Sequence, residues 1–490
     1  MKHFRGKSLL AQLFAEDAAG PGLCLLLLPT LLAFTAFFCH EPWRDEIQAW
    51  LMARDMGFGA LVANAGSEGH PIGWHLIAKA LMTLGLPFAS LQIFAFACAL
   101  AAAVLLVRHG PFPFACKLLL LLSPIFLSLG ILARPYSFII MLLFLQAFLF
   151  PTRMRHPFLY ALPLGCLSQL MVLCLPYVGL MGAWWFVEIG REDKKRFKFA
   201  ALGLLALCFV LACIQLAPPV DKVAAMLLGA APGAVSAAVP FTQVALDVVV
   251  WTLALTMTGA WLFILYKMRR MLLWIGLAVC LFALLVNAFV YPLSACHWYV
   301  LFAMLVALTW IARKEESSNS ASTRADQQSI WSKACLAPLV CACFFSFPGG
   351  ALDFYEQIRL PSSNLPQAAA YFRSNCGDRP VAAHTMAKIC PLLLEMPEKR
   401  FWSPISCQWD SFAVFDANWH AKRNLNPEAA ARIILARCPA SEPLLIFSSP
   451  WPEHRQSGYA LLVEFCDLSV YAECFYFYAP AVLAQELGKR

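Results

Sequence analysis

Apolar residues in this chain collect in runs of membrane-crossing length, and short polar connections separate them. A spanning helix needs about 20 apolar residues. The candidate spans are residues 21–39, 89–107, 115–132, 134–151, 158–176, 177–190, 197–217, 248–266, 271–290, 298–312 and 332–348, which predicts about 11 transmembrane helices. The stretch 158–190 is generous for one span and tight for two. Two are expected, because a single span would place the basic run 191–198 outside. The first run has no clear small-x-small cleavage pattern before His40, so it reads as an uncleaved helix.

Two outer segments differ from simple loops. Residues 44–88 and 218–247 mix apolar with polar positions, which predicts amphipathic helices lying on the membrane surface. Residues 314–330 read as a flexible linker. From 349 to 490 the pattern changes to that of a small α/β domain. Helical stretches at 367–375 and 427–438, the second opened by Asn426-Pro427, alternate with strand-like ones at 380–385, 444–448 and 468–478.

Composition and charge turn this pattern into an orientation. The chain of 490 residues is 61% hydrophobic and 13% charged. Its mean hydropathy of +0.67 excludes a soluble multidomain enzyme. The formal net charge of +8 does not indicate a nucleic-acid partner. Up to residue 348 there are 24 Lys and Arg against 15 Asp and Glu, whereas the remainder has 13 against 14. With a cytoplasmic N-terminus, 19 of those 24 basic residues fall inside and five outside (Arg44, Arg54, Lys79, Arg134, Lys222). By the positive-inside rule, residues 349–490 are then extracytoplasmic, on the periplasmic side of an inner membrane. Six of the 19 cysteines lie there, an even number that suggests a disulfide in an oxidising compartment.

Three polar islands interrupt the apolar pattern on this outer side. The first is His40-Glu41-Pro42-Trp43-Arg44-Asp45-Glu46, followed by Glu68-Gly69-His70-Pro71 and Trp74. A carboxylate at the membrane–water boundary is partly desolvated, which suits it to take a proton from a hydroxyl. Asp45 and Glu46 are the catalytic candidates, one as base and the other orienting or binding a divalent cation. Arg44, Glu68, His70 and Trp74 are candidate substrate contacts. The second island is Ala133-Arg134-Pro135-Tyr136, where a guanidinium suits a phosphate. The third is Tyr291-Pro292 with His297-Trp298-Tyr299. Arg134, Tyr136 and His297 are candidate donor-phosphate ligands, and Tyr299 a substrate contact.

On these residues the chain resembles the GT-C superfamily of membrane glycosyltransferases. It is most similar to the bacterial branch that includes protein O-mannosyltransferases and the lipid A aminoarabinose transferase. The likeness rests on Trp43-Arg44-Asp45-Glu46 after the first helix, Gly69-His70-Pro71 with Trp74, and Ala133-Arg134-Pro135-Tyr136. It implies transfer of a sugar from a polyprenyl-phosphate donor to an acceptor lipid, glycan or protein outside the cytoplasmic membrane. Asp45 would stand at the family's acidic position. Two departures are visible. Ile72 follows His70-Pro71 where the family often has a second proline, and His297-Trp298-Tyr299 stands where it often has an Arg-Tyr pair.

Other readings are a lipid-linked glycan ligase or polymerase, a transporter, and a membrane sensor. Spans almost free of charge disfavour a transporter, and a sensor leaves the acidic island unexplained. The orientation has a direct test. Cysteine labelling or reporter fusions at residues 320 and 365 should report opposite sides of the membrane, and agreement between them would remove the last span.

Overall fold

The computed structural model describes residues 24–487, apart from 192–194, 218–240, 319–329, 332, 362, 417, 418, 420, 421, 423, 471 and 472. The expected outer segment 218–247 and the linker 314–330 fall largely outside the described residues.

The helices begin with α1 (Cys24–Cys39), α2 (Arg44–Asp55), α3 (Phe58–Glu68), α4 (Gly73–Thr83) and α5 (Ala89–His109). Next come α6 (Phe114–Leu121), the single turn α7 (Pro124–Leu127), α8 (Tyr136–Leu149), α9 (Pro157–Ser168), α10 (Leu175–Gly190) and α11 (Arg196–Gln215). Then follow α12 (Phe241–Met268), α13 (Arg270–Phe289), α14 (Ala295–Ser318) and α15 (Leu336–Arg359). The chain divides into two compact units. One comprises the described residues as far as Phe37, then Gln92–Ala217, and then 241–354; the other comprises Phe38–Leu91 and the chain from Tyr355 onward.

The first unit is an apolar helical bundle. Among the described residues, six helices are long and apolar enough to cross a membrane: α5, α10 with its lead-in turn, α11, α13, α14 and α15. Helices α1, α8, α9 and the described part of α12 are apolar but shorter. The stretch 158–190 divides into two helices, α9 and α10, of which only α10 with its lead-in turn reaches spanning length.

The stretch 115–132, expected as one span, is not one helix. It breaks at Ser123-Pro124, makes one turn, and runs irregularly from Ser128 to Pro135. Two prolines without an N–H account for the breaks. Irregular backbone is tolerated in an apolar bundle only where protein encloses it, and residues 123–133 are all buried. Gly130 belongs to this path, because a Cβ there would lie 2.3 Å from the Phe126 carbonyl oxygen. The last helix also departs from expectation. It continues through Pro348-Gly349-Gly350 to Arg359, and at Gly350 a Cβ would lie 2.4 Å from the Pro124 ring.

The second unit is built on a mixed sheet, with α16 (Leu365–Asn375), α17 (Met386–Ile389), α18 (Pro427–Arg437) and α19 (Ala481–Leu487) around it. Its strands are β1 (Val381–His384), β2 (Phe401–Ser403), β3 (Gln408–Asp410), β4 (Leu444–Phe447), β5 (Tyr459–Phe465) and β6 (Phe475–Pro480). Their order is β3-β2-β1-β4-β6-β5, with β1 parallel to both β2 and β4 and the other pairs antiparallel. Strand alternation sends Phe401 and Phe477 to one face, where Phe372 of α16 packs. It sends Trp402, Tyr476 and Tyr478 to the other, with Ala431 and Ile434 of α18. Asn426 caps α18, its side chain accepting from the Ala429 amide at 2.8 Å, as its place before Pro427 predicts. Among the described residues of the expected strand 468–478, strand begins at Phe475 and runs to Pro480, while β2, β3 and β5 went unpredicted.

Residues 44–83 do not form a uniform set of surface helices. Helix α4 is amphipathic, with Trp74, His75 and Ala78 buried and Leu76 exposed. Helix α2 is different: every residue from Glu46 to Ala53 is buried. It packs against α4 and against α17 and the turn that follows it (Cys390–Leu394). Lys79 of α4 donates to the Ala53 and Met56 carbonyls at the end of α2 (2.9 and 2.8 Å). Gln48 makes the equivalent of a strand pair with Ala413, donating to its carbonyl at 2.6 Å and accepting from its amide at 3.1 Å.

Replacing Gln48 with Leu should therefore strand both backbone groups of Ala413, each costing about 1–3 kcal/mol when left buried and unpaired. Chemical denaturation should show that loss. An unchanged midpoint would mean that α2 does not depend on this pairing.

Candidate functional site

Within the second unit, the acidic motif forms the entry to α2. Trp43 is the residue before the first helical turn, and its amide donates to Glu46 Oε2 at 3.0 Å. This is half of a capping box, in which a glutamate at the third helical position reaches back to the cap amide. His40 Nε2 lies 2.9 Å from the same oxygen, and both side chains are fully buried. Glu46 is thus committed to fixing the turn. Asp45 is more open: its side chain is 44% exposed and lies 3.5 Å from Arg44 Nε. Of the two carboxylates, Asp45 is the more accessible.

A third carboxylate, missed in the sequence, lies beside them. Glu473 is 3% exposed. One of its oxygens accepts from the Arg44 amide at 3.3 Å, and the other accepts from the Ser363 hydroxyl. Burial pushes the Glu473 carboxyl above the usual glutamate range; the Ser363 and Arg44 hydrogen bonds and the Arg44 charge pull it back, and the Asp45 charge adds to the rise. Glu41 accepts from the Ser363 amide at 3.3 Å. The only sequence signal near Glu473 was the cysteine next to it: Cys474 pairs with Cys466 in a disulfide, and the other four tail cysteines are free.

The other residues of this island take separate places. Glu68 ends α3 and accepts from Asn64 at 3.4 Å. Gly69 closes that helix in the left-handed region (φ 74°), where a side chain would be strained. His70 and Pro71 lead into α4, and Trp74 is buried in its first turn. Among the described residues, no group of three or more His, Cys, Asp and Glu side chains could hold a metal ion. Oε2 of Glu46 is shared by His40 and the Trp43 amide.

Within the first unit, folding brings Arg134, Tyr136 and His297 into one cluster. Arg134 ends the irregular segment, which the Ser137 hydroxyl braces by donating to the Leu129 carbonyl at 2.7 Å. The His297 ring lies 6.1 Å from that of Tyr136 and 5.7 Å from that of Tyr291. Tyr291 sits in the turn between α13 and α14, where Asn287 accepts from the Leu293 amide at 2.8 Å. Burial pushes its phenol up, and the nearby Arg134 charge pulls it back. Ser294 Oγ lies 2.7 Å from His297 Nδ1. His297 Nε2 and the Tyr291 hydroxyl are buried without a hydrogen-bond partner among the described residues. Tyr299 takes another direction. A Cβ on Gly349 of α15 would lie 3.9 Å from its hydroxyl.

The raised Glu473 carboxyl has a consequence for stability. A carboxyl raised on folding binds its proton more tightly in the native state. Its contribution is therefore complete below the ordinary value of 4.5 and is lost as pH rises through the folded-state value. Wild type should lose stability relative to Glu473→Gln as pH climbs from below 4.5 through the raised folded-state value. Denaturation midpoints of the two proteins across that range test this, and a gap that does not vary with pH would count against it.

No protein-family model matches the chain, and no curated protein matches it.

Proposed function

We propose that the protein transfers a sugar from a polyprenyl-phosphate donor to an acceptor hydroxyl at the outer face of the cytoplasmic membrane. The observation that carries this reading is the cluster of Arg134, Tyr291 and His297 in the helical bundle of the first unit. It combines a cation with two buried polar groups, His297 Nε2 and the Tyr291 hydroxyl, that have no hydrogen-bond partner among the described residues. Buried polar groups are normally satisfied, and these two can donate to an anion. A lipid-linked phosphate joins such an anion to a chain that suits an apolar surrounding.

The resemblance to GT-C enzymes assigns the acceptor side of the chemistry to the acidic motif. In the proposed step the Asp45 carboxylate takes the proton from the acceptor hydroxyl. The hydroxyl oxygen attacks the anomeric carbon as its bond to the phosphate oxygen breaks. The phosphate leaves with the bonding electrons, and Arg134 and His297 stabilise the charge that develops on it. Glu46 holds the turn that presents Asp45. The resemblance of Trp43-Arg44-Asp45-Glu46 and Ala133-Arg134-Pro135-Tyr136 to GT-C enzymes supports the same assignment. The acceptor is a lipid, a glycan or a protein.

Transfer from a radiolabelled polyprenyl-phosphate sugar in membranes tests the reading. Asp45→Asn should lower the transfer rate by about 10²–10⁴-fold and leave donor affinity unchanged. Arg134→Ala should weaken donor binding at every pH, because a guanidinium is charged throughout. Normal turnover in the Asn variant would remove Asp45 from the chemistry, and normal donor affinity in the Ala variant would leave Arg134 as an anchor only.

A further inference from the structure

We infer that Glu473, in the C-terminal part of the chain, is a positioning residue for Asp45: it holds the backbone that carries the base. This rests on the transfer reading above for its consequence, but not for its geometry. The first amides of a helix have no partner within it. In α2 the first of these, the Arg44 N–H, is taken by Glu473 at 3.3 Å. That amide belongs to the residue immediately before Asp45. A carboxylate there also meets the positive end of the helix dipole.

Glu473 is itself held on several sides. The Ser363 hydroxyl donates to its second oxygen, and the Asn364 side chain donates to its main-chain carbonyl at 2.7 Å and to that of Asp467 at 3.0 Å. The Ser363 hydroxyl oxygen also accepts from the Leu365 amide at 3.0 Å. The Cys466–Cys474 disulfide closes the segment directly after Glu473. In return, the Ser363 amide donates to Glu41, four residues before Asp45. The acidic segment is therefore stitched to the tail from both sides of Pro42-Trp43. A carboxylate buried to this degree is unfavourable unless its hydrogen bonds are made. For packing alone an apolar side chain would serve, whereas the amide at the start of α2 needs an acceptor.

The test compares Glu473→Ala with Glu473→Gln in the full-length protein, since a glutamine carbonyl oxygen can still accept from the Arg44 amide. Hydrogen exchange of the segment 40–48 reads the clamp without any substrate. Losing a hydrogen bond to a charged acceptor should speed exchange at the start of α2 by about 10–100-fold in the Ala variant, with the Gln variant close to wild type. In the transfer assay the Ala variant should lose kcat at unchanged donor KM, and Gln should restore most of it. Exchange in the Ala variant equal to wild type overturns the clamp. A Gln variant as inactive as Ala overturns the positioning role, because the carboxylate would then be a reacting group. Wild-type protein that transfers no sugar sinks the transferase reading instead and leaves the clamp to the exchange result.

Discussion

Helix α2 carries a glutamate and a glutamine into an interior, and eight consecutive buried residues leave it no solvent face. Each polar group it brings inside must find a partner, because an unpaired buried donor or acceptor costs more than a made hydrogen bond returns. Glu46 is matched by His40 and the Trp43 amide, Gln48 by both backbone groups of Ala413, and the helix start by Glu473. The far end is tied in the same way. Arg54 donates to the Leu393 carbonyl and pairs with Asp55, which Arg400 also reaches. Burial would raise the Asp55 carboxyl, but its bonds to Arg54 and Ser411 and the charges of Arg54 and Arg400 outweigh it and hold the group below the ordinary range. The placement of Asp45 follows from these commitments.

The same constraint explains the division of labour in the acidic motif. Two adjacent carboxylates look equivalent in a sequence. In the fold they point to different environments, and a helix start can use only one of them as a cap. Glu46 stands at the third helical position and closes the turn; Asp45 is left half exposed beside Arg44. In the bundle the comparable constraint is backbone satisfaction. The segment from Ser123 to Pro135 leaves helical geometry where Pro124 and Pro135 withhold amides, and it is enclosed on the way. That detour ends at Arg134.

Hydropathy and charge alone determined that the chain is mostly helical, with helices long and apolar enough to cross a membrane, and that a small sheet-containing tail follows. Long apolar helices and alternating strands bury their side chains through local periodicity, so α5, α11, α13 and α14 were legible, and so were α16, α18, β1 and β4. The acidic island and the Arg134 island were legible as well, because charge beside long apolar runs is costly. Short strands such as β2 and β3, with three residues each, have too little periodicity to read. The break in 115–132 was hidden because its residues are as apolar as those of a span.

Tertiary structure decided which polar group meets which. Glu473 lies 429 positions from Arg44, and no local pattern marks a carboxylate that will accept from a distant amide. Residues 38–91 join one compact unit with the tail although more than 260 positions separate them in sequence. Tyr136 lies beside His297 although 161 positions (297 − 136) separate them. Local sequence sets what each segment can bury. Partners for buried polar groups are set by long-range packing, which brings together residues whose separation along the chain carries no signal.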